Sequence, residues 1–346
     1  MTDVVIVGGG PAGLAAAIHA AQAGLQSIIF EPKNNPIDKA CGEGLMPPTL
    51  RALDTMNVPR PEGYPFVGIR YVDGNTVAEG QFSMGPGLGV RRTTLQQALR
   101  HRVENLGIEI REERVQSWNQ DENGVTVNGV RSQWMIAADG LQSSVRRQLS
   151  VTATPTRPPR LGIRRHFKTA PWSPYVEIHW SPTAEAYVTP ISEDTIGVAI
   201  LYYKNADPPE QGDPWDRWIQ AFPKLYERLG QPCTAPMGAG PFEQRVTQRT
   251  VGRILLIGDA AGYLDPITGE GIRLGFETAQ AAIECIASDN VNQYEQAWRR
   301  IARRYWWLTS GLLTLRERPF TRSRLVPTLK TFPSLFNFAL NSLNHA

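Results

Sequence analysis

Four residues near the start of the chain have the spacing of a dinucleotide site. Gly8, Gly10 and Gly13 match the pattern G-x-G-x-x-G, and Glu31 follows Gly10 by 21 residues. Such glycines allow a tight turn and a close approach to a pyrophosphate, and the next helix directs free N–H groups at the phosphates. An acid at this distance accepts hydrogen bonds from a ribose. The predicted contact residues are Gly8, Gly10, Pro11, Ala12, Gly13, Glu31 and Pro32.

Two further acids follow apolar runs that are typical of buried strands. Asp139-Gly140 comes after residues 134–138, and Gly258-Asp259 comes after residues 254–257. A glycine-rich run at 269–271 then opens a predicted helix, whose N-terminal dipole stabilises negative charge on a reduced flavin. One such Gly-Asp pair is explained by a turn that caps a helix. Three strand-end sites in this order favour one long cofactor, FAD, over NAD.

The elements that position these residues are predicted from apolar periodicity. Residues 4–7 and 27–30 read as short buried parallel strands, with an Ala-rich helix from Leu14 to Ala23 between them. From 161 to 203 the pattern alternates, which indicates an antiparallel sheet with one covered face. We expect a discontinuous cofactor domain (1–60, 88–150 and 245–290), an inserted substrate-binding sheet domain (61–87 and 151–244) and a helical C-terminal segment (291–346).

Composition and charge exclude several classes of protein. The 346 residues are 41% apolar and 20% charged, which supports a sizeable core, and a net charge of +3 does not indicate a nucleic-acid partner. Cys41, Cys233 and Cys285 form neither a disulfide framework nor a metal cluster, so we expect no metal and a cytoplasmic protein. No apolar run reaches the ~18–20 residues of a transmembrane helix, and we find no secretory signal.

The C-terminal segment is basic and aromatic. Residues 299–330 contain nine Lys or Arg and one acid, Glu317, with Trp306, Trp307 and Phe320 among them. Three interpretations remain open: a helical cover paired with acids elsewhere, peripheral docking on an anionic membrane, or a guide for an apolar substrate.

The sequence resembles the FAD-dependent reductases and hydroxylases of the p-hydroxybenzoate-hydroxylase fold, and within them the geranylgeranyl reductase branch. The resemblance rests on VVIVGGGPAGLAAA at 4–17, DKACGEGLMP at 38–47, RRTTLQQAL at 91–99, ADG at 138–140 and GDAAGYLDPITGEGI at 258–272. It implies an α/β fold with a Rossmann-like FAD-binding domain, an inserted mostly antiparallel substrate sheet and a helical C-terminal segment. It also implies that NAD(P)H or another donor reduces the flavin during a transient visit.

The resemblance also implies roles for single residues. Glu31 would hold the adenosine ribose, Arg92 would reach the pyrophosphate, and Asp259 would take the ribityl or phosphate side. Asp139 and Gly140 would contact the same cofactor. The residues expected to border the isoalloxazine are Pro266, Thr268, Gly269, Gly271 and Ile272, with Cys41 and Gly42 in a loop beside it. Gly258 and Glu270 are also expected to contact the cofactor.

Cys41-Gly42-Glu43-Gly44 is similar to the Cys-Gly loop that lies beside the flavin in that branch. A neutral thiol there would tune or shield the ring, and the alternative is a structural cysteine. Members of that branch carry a Tyr-x-Trp-x-Phe-Pro stretch. The corresponding residues here are Tyr187-Val188-Thr189-Pro190, which keep the Tyr and the Pro and lack the Trp and the Phe. No catalytic residue is therefore assigned, and Cys41, Glu43 and Tyr187 remain candidates.

The remaining polar residues give weaker signals. His19, His166 and His179 are lone histidines, which are more often structural than catalytic. For Arg164 and Arg165 two expectations remain open. They contact an acidic group of the substrate or a cofactor phosphate, or they lie at a solvent-exposed strand end.

Three functions remain open from the sequence. The first is reduction of a carbon–carbon double bond in a hydrophobic substrate of isoprenoid, acyl or polyketide type. The second is NAD(P)H-dependent hydroxylation of an aromatic or polyketide-like substrate. The third is a flavin-binding redox partner without a small-molecule substrate, which would lack a deep pocket beside the ring.

Overall fold

The computed structural model describes residues 2–34, 36–205 and 213–344. Its first half contains β1 (Thr2–Val7), α1 (Pro11–Gln22), β2 (Ser27–Phe30), β3 (Gly44–Leu45), α2 (Pro47–Thr55), β4 (Tyr64–Phe66), β5 (Gly68–Asp73), β6 (Thr76–Gln81), β7 (Gly87–Gly89), α3 (Arg92–Asn105), β8 (Glu109–Arg111), β9 (Trp118–Asp121), β10 (Gly124–Val127), β11 (Val130–Ala137) and α4 (Ser144–Gln148).

The second half contains β12 (Thr152–Ala153), β13 (Arg160–Lys168), β14 (Tyr175–Trp180), β15 (Ala184–Ser192), β16 (Thr195–Tyr203), α5 (Pro214–Ile219), α6 (Pro223–Tyr226), β17 (Gln231–Pro232), β18 (Met237–Ala239), β19 (Arg245–Val246), β20 (Thr250–Val251), β21 (Ile254–Leu256), α7 (Gly271–Ala287), α8 (Tyr294–Glu317), α9 (Pro319–Thr331) and α10 (Pro333–Asn344). No described helix has the length and apolar character needed to cross a membrane.

The first sheet is built on the apolar runs that the sequence predicts. Its order is β20-β21-β11-β1-β2-β8, with β1 parallel to both β2 and β11, and β11 parallel to β21. Val4, Val5 and Ile6 are fully buried in its centre. Because these strands run in one direction, the segments that follow β1, β11 and β21 meet at one edge of the sheet.

The second sheet has the order β17-β13-β16-β15-β14-β5-β6 and is antiparallel except for the β14–β5 pair. β5 and β6 come from residues 61–87, which we assigned to this sheet. The mixed α/β architecture and the mostly antiparallel second sheet confirm the predicted fold class.

The expectation that only one face of this sheet is covered is wrong. One face packs against the C-terminal helices and the loop after β21, through residues such as Tyr71, Val326 and Phe336. The other face packs against α5 and α6 through Trp215 and Trp218. The alternating sequence pattern did not reveal the second cover because the aromatic residues that form it lie in a polar, Pro-rich stretch.

A buried group of charges fixes α8 to the second sheet. Glu185 on β15 accepts hydrogen bonds from Arg160 (2.8 Å) and from Arg316 of α8, and Arg160 also pairs with Asp265 (2.9 Å). All four side chains are almost fully buried. The first interpretation of the basic segment, pairing with acids elsewhere, therefore holds for Arg316.

Removal of the Glu185 carboxylate tests this attachment. Glu185→Leu leaves two guanidinium groups buried with one fewer acid, so we expect the free energy of unfolding to fall by about 3–5 kcal/mol. Chemical denaturation measures the change. Asp194→Ala, which breaks the exposed Lys168–Asp194 pair, is the control and should cost about 0–1 kcal/mol. Equal losses in both variants would contradict the account.

Candidate functional site

A cavity of about 1130 Å³ reaches from the first sheet to the second sheet and the C-terminal helices. Most of the residues predicted to contact a cofactor line it, together with the candidates Glu43 and Tyr187. The predicted residues that line it are Gly10, Pro11, Ala12, Cys41, Gly42, Arg92, Gly140, Gly258, Asp259, Pro266, Thr268, Gly269, Glu270, Gly271 and Ile272. It is larger than most single-ligand pockets, which are roughly 300–1,000 Å³.

The three motif glycines have different surroundings. A Cβ on Gly8 would lie 2.6 Å from the Ala138 carbonyl oxygen, and one on Gly13 would lie 1.9 Å from the Gly8 carbonyl oxygen. These two glycines therefore allow strand β11 and helix α1 to approach the turn. A Cβ on Gly10 would meet no protein atom within 4 Å, because Gly10 lines the cavity.

Glu31 lies at the edge of this turn and does not line the cavity. Its Oε2 accepts a hydrogen bond from the Gly9 N–H (2.8 Å), and its Oε1 accepts one from the Lys33 N–H (3.1 Å). The carboxylate is thus fixed beside the glycines, as a ribose contact would require. Pro32 follows it outside the cavity lining.

Asp139 has a different local role from its predicted one. Its Oδ2 accepts hydrogen bonds from the backbone N–H groups of Ser144 (2.7 Å) and Val145 (3.1 Å), at the start of α4. This contact is the helix-capping alternative for a Gly-Asp pair. Its Oδ1 is buried without a partner among the described residues, and only Gly140 of this pair lines the cavity.

Four charged side chains line the cavity without an ion-pair partner among the described residues: Asp259, Lys39 and Arg92 at the end formed by the first sheet, and Arg324 of α9. Burial raises the pKa of Asp259, against the attraction of Lys39 and Arg92. Burial and the nearby Arg92 charge lower the pKa of Lys39. Arg92 Nε is buried with no hydrogen-bond partner. Since buried polar groups are normally paired, a ligand with both anionic and hydroxyl groups fits this set.

Sequence reasoning missed Lys39. The residue stands in the DKACGEGLMP stretch, but its charge was not considered. The available signal was a lysine between an acid and the Cys-Gly loop, in a segment without helical or strand periodicity.

The segment 265–271 closes one side of the cavity. Asp265 accepts a hydrogen bond from the Ile267 N–H (3.0 Å), Tyr187 donates to the Ile267 carbonyl (3.0 Å), and α7 begins at Gly271. The N-terminus of this 17-residue helix lies at the cavity lining. Its free N–H groups favour negative charge there.

The Cys41–Gly42 loop forms the opposite border. Burial raises the pKa of the Cys41 thiol, which is therefore held in its neutral form. The Gly42 carbonyl accepts a hydrogen bond from Thr189 Oγ1 (2.7 Å). The Glu43 oxygens accept from the Arg92 N–H (2.9 Å) and from His166 Nε2 (2.5 Å). The Glu43 carboxylate is thus occupied by protein groups.

The rest of the cavity is mostly apolar. Its walls come from the second sheet and from α8–α10, and they include Ile69, Val176, Ile178, Leu201, Phe242, Leu312, Leu325, Leu329, Phe336 and Leu340. The C-terminal helices therefore form a wall of the site, which agrees with the third interpretation of this segment. We had not predicted which of its residues would contribute.

Comparisons with known proteins agree with this geometry. The model of a family described as "FAD binding domain" matches residues 1–289. Menaquinone reductase of Mycolicibacterium smegmatis is 26% identical, over 96% of this chain and 85% of that protein. Digeranylgeranylglycerophospholipid reductase 2 of Methanothermobacter thermautotrophicus is 26% identical over 86% and 83%. Rifampicin monooxygenase of Streptomyces venezuelae is 26% identical over 90% and 67%.

The fold also matches solved structures. A flavoprotein/dehydrogenase from Cytophaga hutchinsonii superimposes with a TM-score of 0.83 at 18% identity, covering 99% of this chain and 98% of the other. The comparisons confirm the predicted resemblance and the predicted FAD cofactor.

Gly10→Val tests where the cofactor lies. The added side chain meets no protein atom and projects into the cavity, so we expect loss of FAD binding with little change in the stability of the apoprotein. Gly311→Val adds the same side chain to a similarly open position at the other end of the cavity and should retain FAD. Absorbance of the purified variants measures the flavin content. Full flavin content in Gly10→Val would refute the placement.

Proposed function

The chain belongs to the FAD binding domain family of flavoproteins, and on this premise we propose that it reduces a carbon–carbon double bond of a hydrophobic isoprenoid substrate. It is an FAD-dependent oxidoreductase, and its relatives include both reductases and monooxygenases. The proposal concerns the reaction and the substrate.

The cavity carries this proposal. A single space continues from the residues predicted to contact the cofactor to the apolar faces of α8–α10. An apolar wall of this extent suits a long hydrocarbon chain better than a compact polar substrate. The names of two relatives, a menaquinone reductase and a digeranylgeranylglycerophospholipid reductase, are consistent with such a chain.

We assign the following roles to the protein. Lys39 and Arg92 would neutralise the pyrophosphate of FAD, Asp259 would accept hydrogen bonds from its hydroxyl groups, and Glu31 would hold the adenosine ribose. When bound, FAD supplies the hydride for the substrate after reduction by NAD(P)H or another donor.

Other side chains exclude water and leave few proton donors. The neutral Cys41 thiol lines the border of the cavity. The Tyr187 hydroxyl donates a hydrogen bond to the Ile267 carbonyl, and burial raises the pKa of this hydroxyl far above its ordinary value. We therefore assign Tyr187 to the positioning of segment 265–271, and not to proton transfer. Apolar walls keep water from the reacting carbon.

Hydroxylation is the second candidate. It is favoured by the rifampicin monooxygenase relative, which matches 90% of this chain, and an enclosed apolar cavity suits this chemistry as well. The cavity counts against the third function, a redox partner without a substrate, because that function requires no such space.

Anaerobic turnover distinguishes the two candidates. Photoreduced holoenzyme mixed with a geranylgeranyl compound without oxygen should reoxidise, and the substrate should gain two hydrogen atoms by mass spectrometry. Gly311→Val, which adds bulk where the chain would lie, should slow this step and keep the flavin. A product that gains an oxygen atom, and only in air, would refute the reductase proposal.

We further propose that the enzyme is cytoplasmic and contacts an anionic membrane through its C-terminal helices. Trp307, Phe320, Phe332, Leu335 and Phe338 are exposed there. Among the described residues, Arg303, Arg318 and Arg324 form no ion pair. Exposed aromatic residues with adjacent unpaired cations are typical of membrane-surface segments.

Vesicle co-sedimentation tests the membrane contact. Binding to vesicles that contain phosphatidylglycerol should be clear at low salt, weaker at high salt because charges are screened, and reduced by Trp307→Ser with Phe338→Ser. Tyr226→Ser removes an exposed aromatic residue from α6 and should leave binding unchanged. Absence of binding at low salt would contradict the contact.

A further inference from the structure

A buried histidine–glutamate pair connects the cofactor side of the cavity to the second sheet. His166 on β13 is fully buried, and its Nε2 lies 2.5 Å from Glu43 Oε2. The other Glu43 oxygen accepts from the N–H of Arg92, the first residue of α3 (2.9 Å). One carboxylate thus links the sheet, the Cys41–Gly42 loop and the helix that carries Arg92.

The hydrogen-bond donors around His166 fix its tautomer. Arg164 Nη1 and Thr234 Oγ1 each lie 3.1 Å from Nδ1, and Thr234 Oγ1 also accepts the His166 backbone N–H (3.1 Å). Because a guanidinium group only donates, Nδ1 is the acceptor and the ring proton is on Nε2. His166 therefore donates to Glu43.

The second sheet is shaped to receive this loop. Thr189, Gly197 and His166 are opposite one another on β15, β16 and β13. Thr189 donates to the Gly42 carbonyl, and Arg164 pairs with Asp38 at the start of the loop. A Cβ on Gly197 would lie 3.1 Å from Glu43 Oε2, so the glycine leaves room for the carboxylate.

Glu43 also has an unfavourable backbone conformation. Its φ of +59° lies in the left-handed region, which residues other than glycine rarely adopt. Such a conformation persists where the surroundings hold it. The side-chain contacts with His166 and Arg92, together with the hydrogen bond from the Val90 N–H to the Glu43 carbonyl (2.8 Å), hold it here.

We propose that Glu43 and His166 are positioning residues for the cofactor. Their hydrogen bond fixes the Cys41–Gly42 loop and Arg92 in the arrangement that FAD binding requires. This inference concerns cofactor binding, so it does not depend on whether the enzyme reduces or hydroxylates its substrate.

Substitutions at position 166 separate positioning from packing. His166→Leu removes the donor and should weaken FAD binding by about tenfold or more, since hydrogen bonds to charged groups are the strong ones. His166→Gln restores an N–H donor and should stay within about threefold of the unchanged enzyme. Titration of the apoprotein with FAD gives the affinity, and the flavin absorbance of the holoenzyme reports the surroundings of the ring.

Glu43→Gln gives a second, nearly isosteric test. Whichever way the new amide turns, its NH2 group opposes one of two donors, His166 Nε2–H or the Arg92 N–H, so FAD affinity should fall. The double variant Glu43→Gln with His166→Gln allows the two amides to pair. The double variant should recover part of the lost FAD affinity. Effects of the two substitutions that do not add in this way identify direct coupling between the two residues.

His179→Leu is the matched control. His179 pairs with Glu177 (3.1 Å) on the same sheet, and neither residue lines the cavity. It should leave FAD affinity and the flavin spectrum unchanged. Wild-type FAD affinity in His166→Leu, equal losses in His166→Leu and His166→Gln, or an equal loss in His179→Leu would each overturn the proposal.

Discussion

The cavity is lined at one end by charged side chains that form no ion pair among the described residues. Asp259, Lys39 and Arg92 come from three separate segments. Desolvation raises the pKa of Asp259 and lowers the pKa of Lys39, so it favours the neutral form of each. Phosphates and hydroxyl groups of a ligand would give these side chains partners, including the Arg92 Nε, which is buried without a hydrogen bond among the described residues. The parallel sheet supplies one of these segments, because Asp259 follows its strand β21, whereas Lys39 lies between β2 and β3 and Arg92 begins α3.

The same constraint explains why the walls of the cavity are held so firmly. The Cys41–Gly42 loop is attached to the second sheet by Thr189 and His166. Segment 265–271 is attached to α8, because Tyr305 donates to the Asp265 carbonyl and accepts from the Asp265 N–H. Both borders of the space predicted for the cofactor thus depend on the second sheet and the C-terminal helices, which supports the proposal that cofactor and substrate share one enclosure.

The sequence predicted the features that depend on local pattern. The glycine turn at 8–13, the helix from Gly271 and the FAD cofactor follow from short motifs with strict steric needs. Lys39, the Glu43–His166 pair and the C-terminal wall were not predicted, because they depend on contacts between segments far apart in the chain. Asp139 shows the limit of motif reasoning, since its Oδ2 caps α4 and its position alone did not distinguish the two roles.

The most direct test of the account is a crystal structure of the FAD-loaded protein with a geranylgeranyl compound bound. We predict the flavin ring between the Cys41–Gly42 loop and segment 265–271, the pyrophosphate beside Lys39 and Arg92, and the hydrocarbon chain along α8–α10. A flavin ring bound elsewhere, or a chain outside this cavity, would contradict the central claim that one enclosure holds both cofactor and substrate.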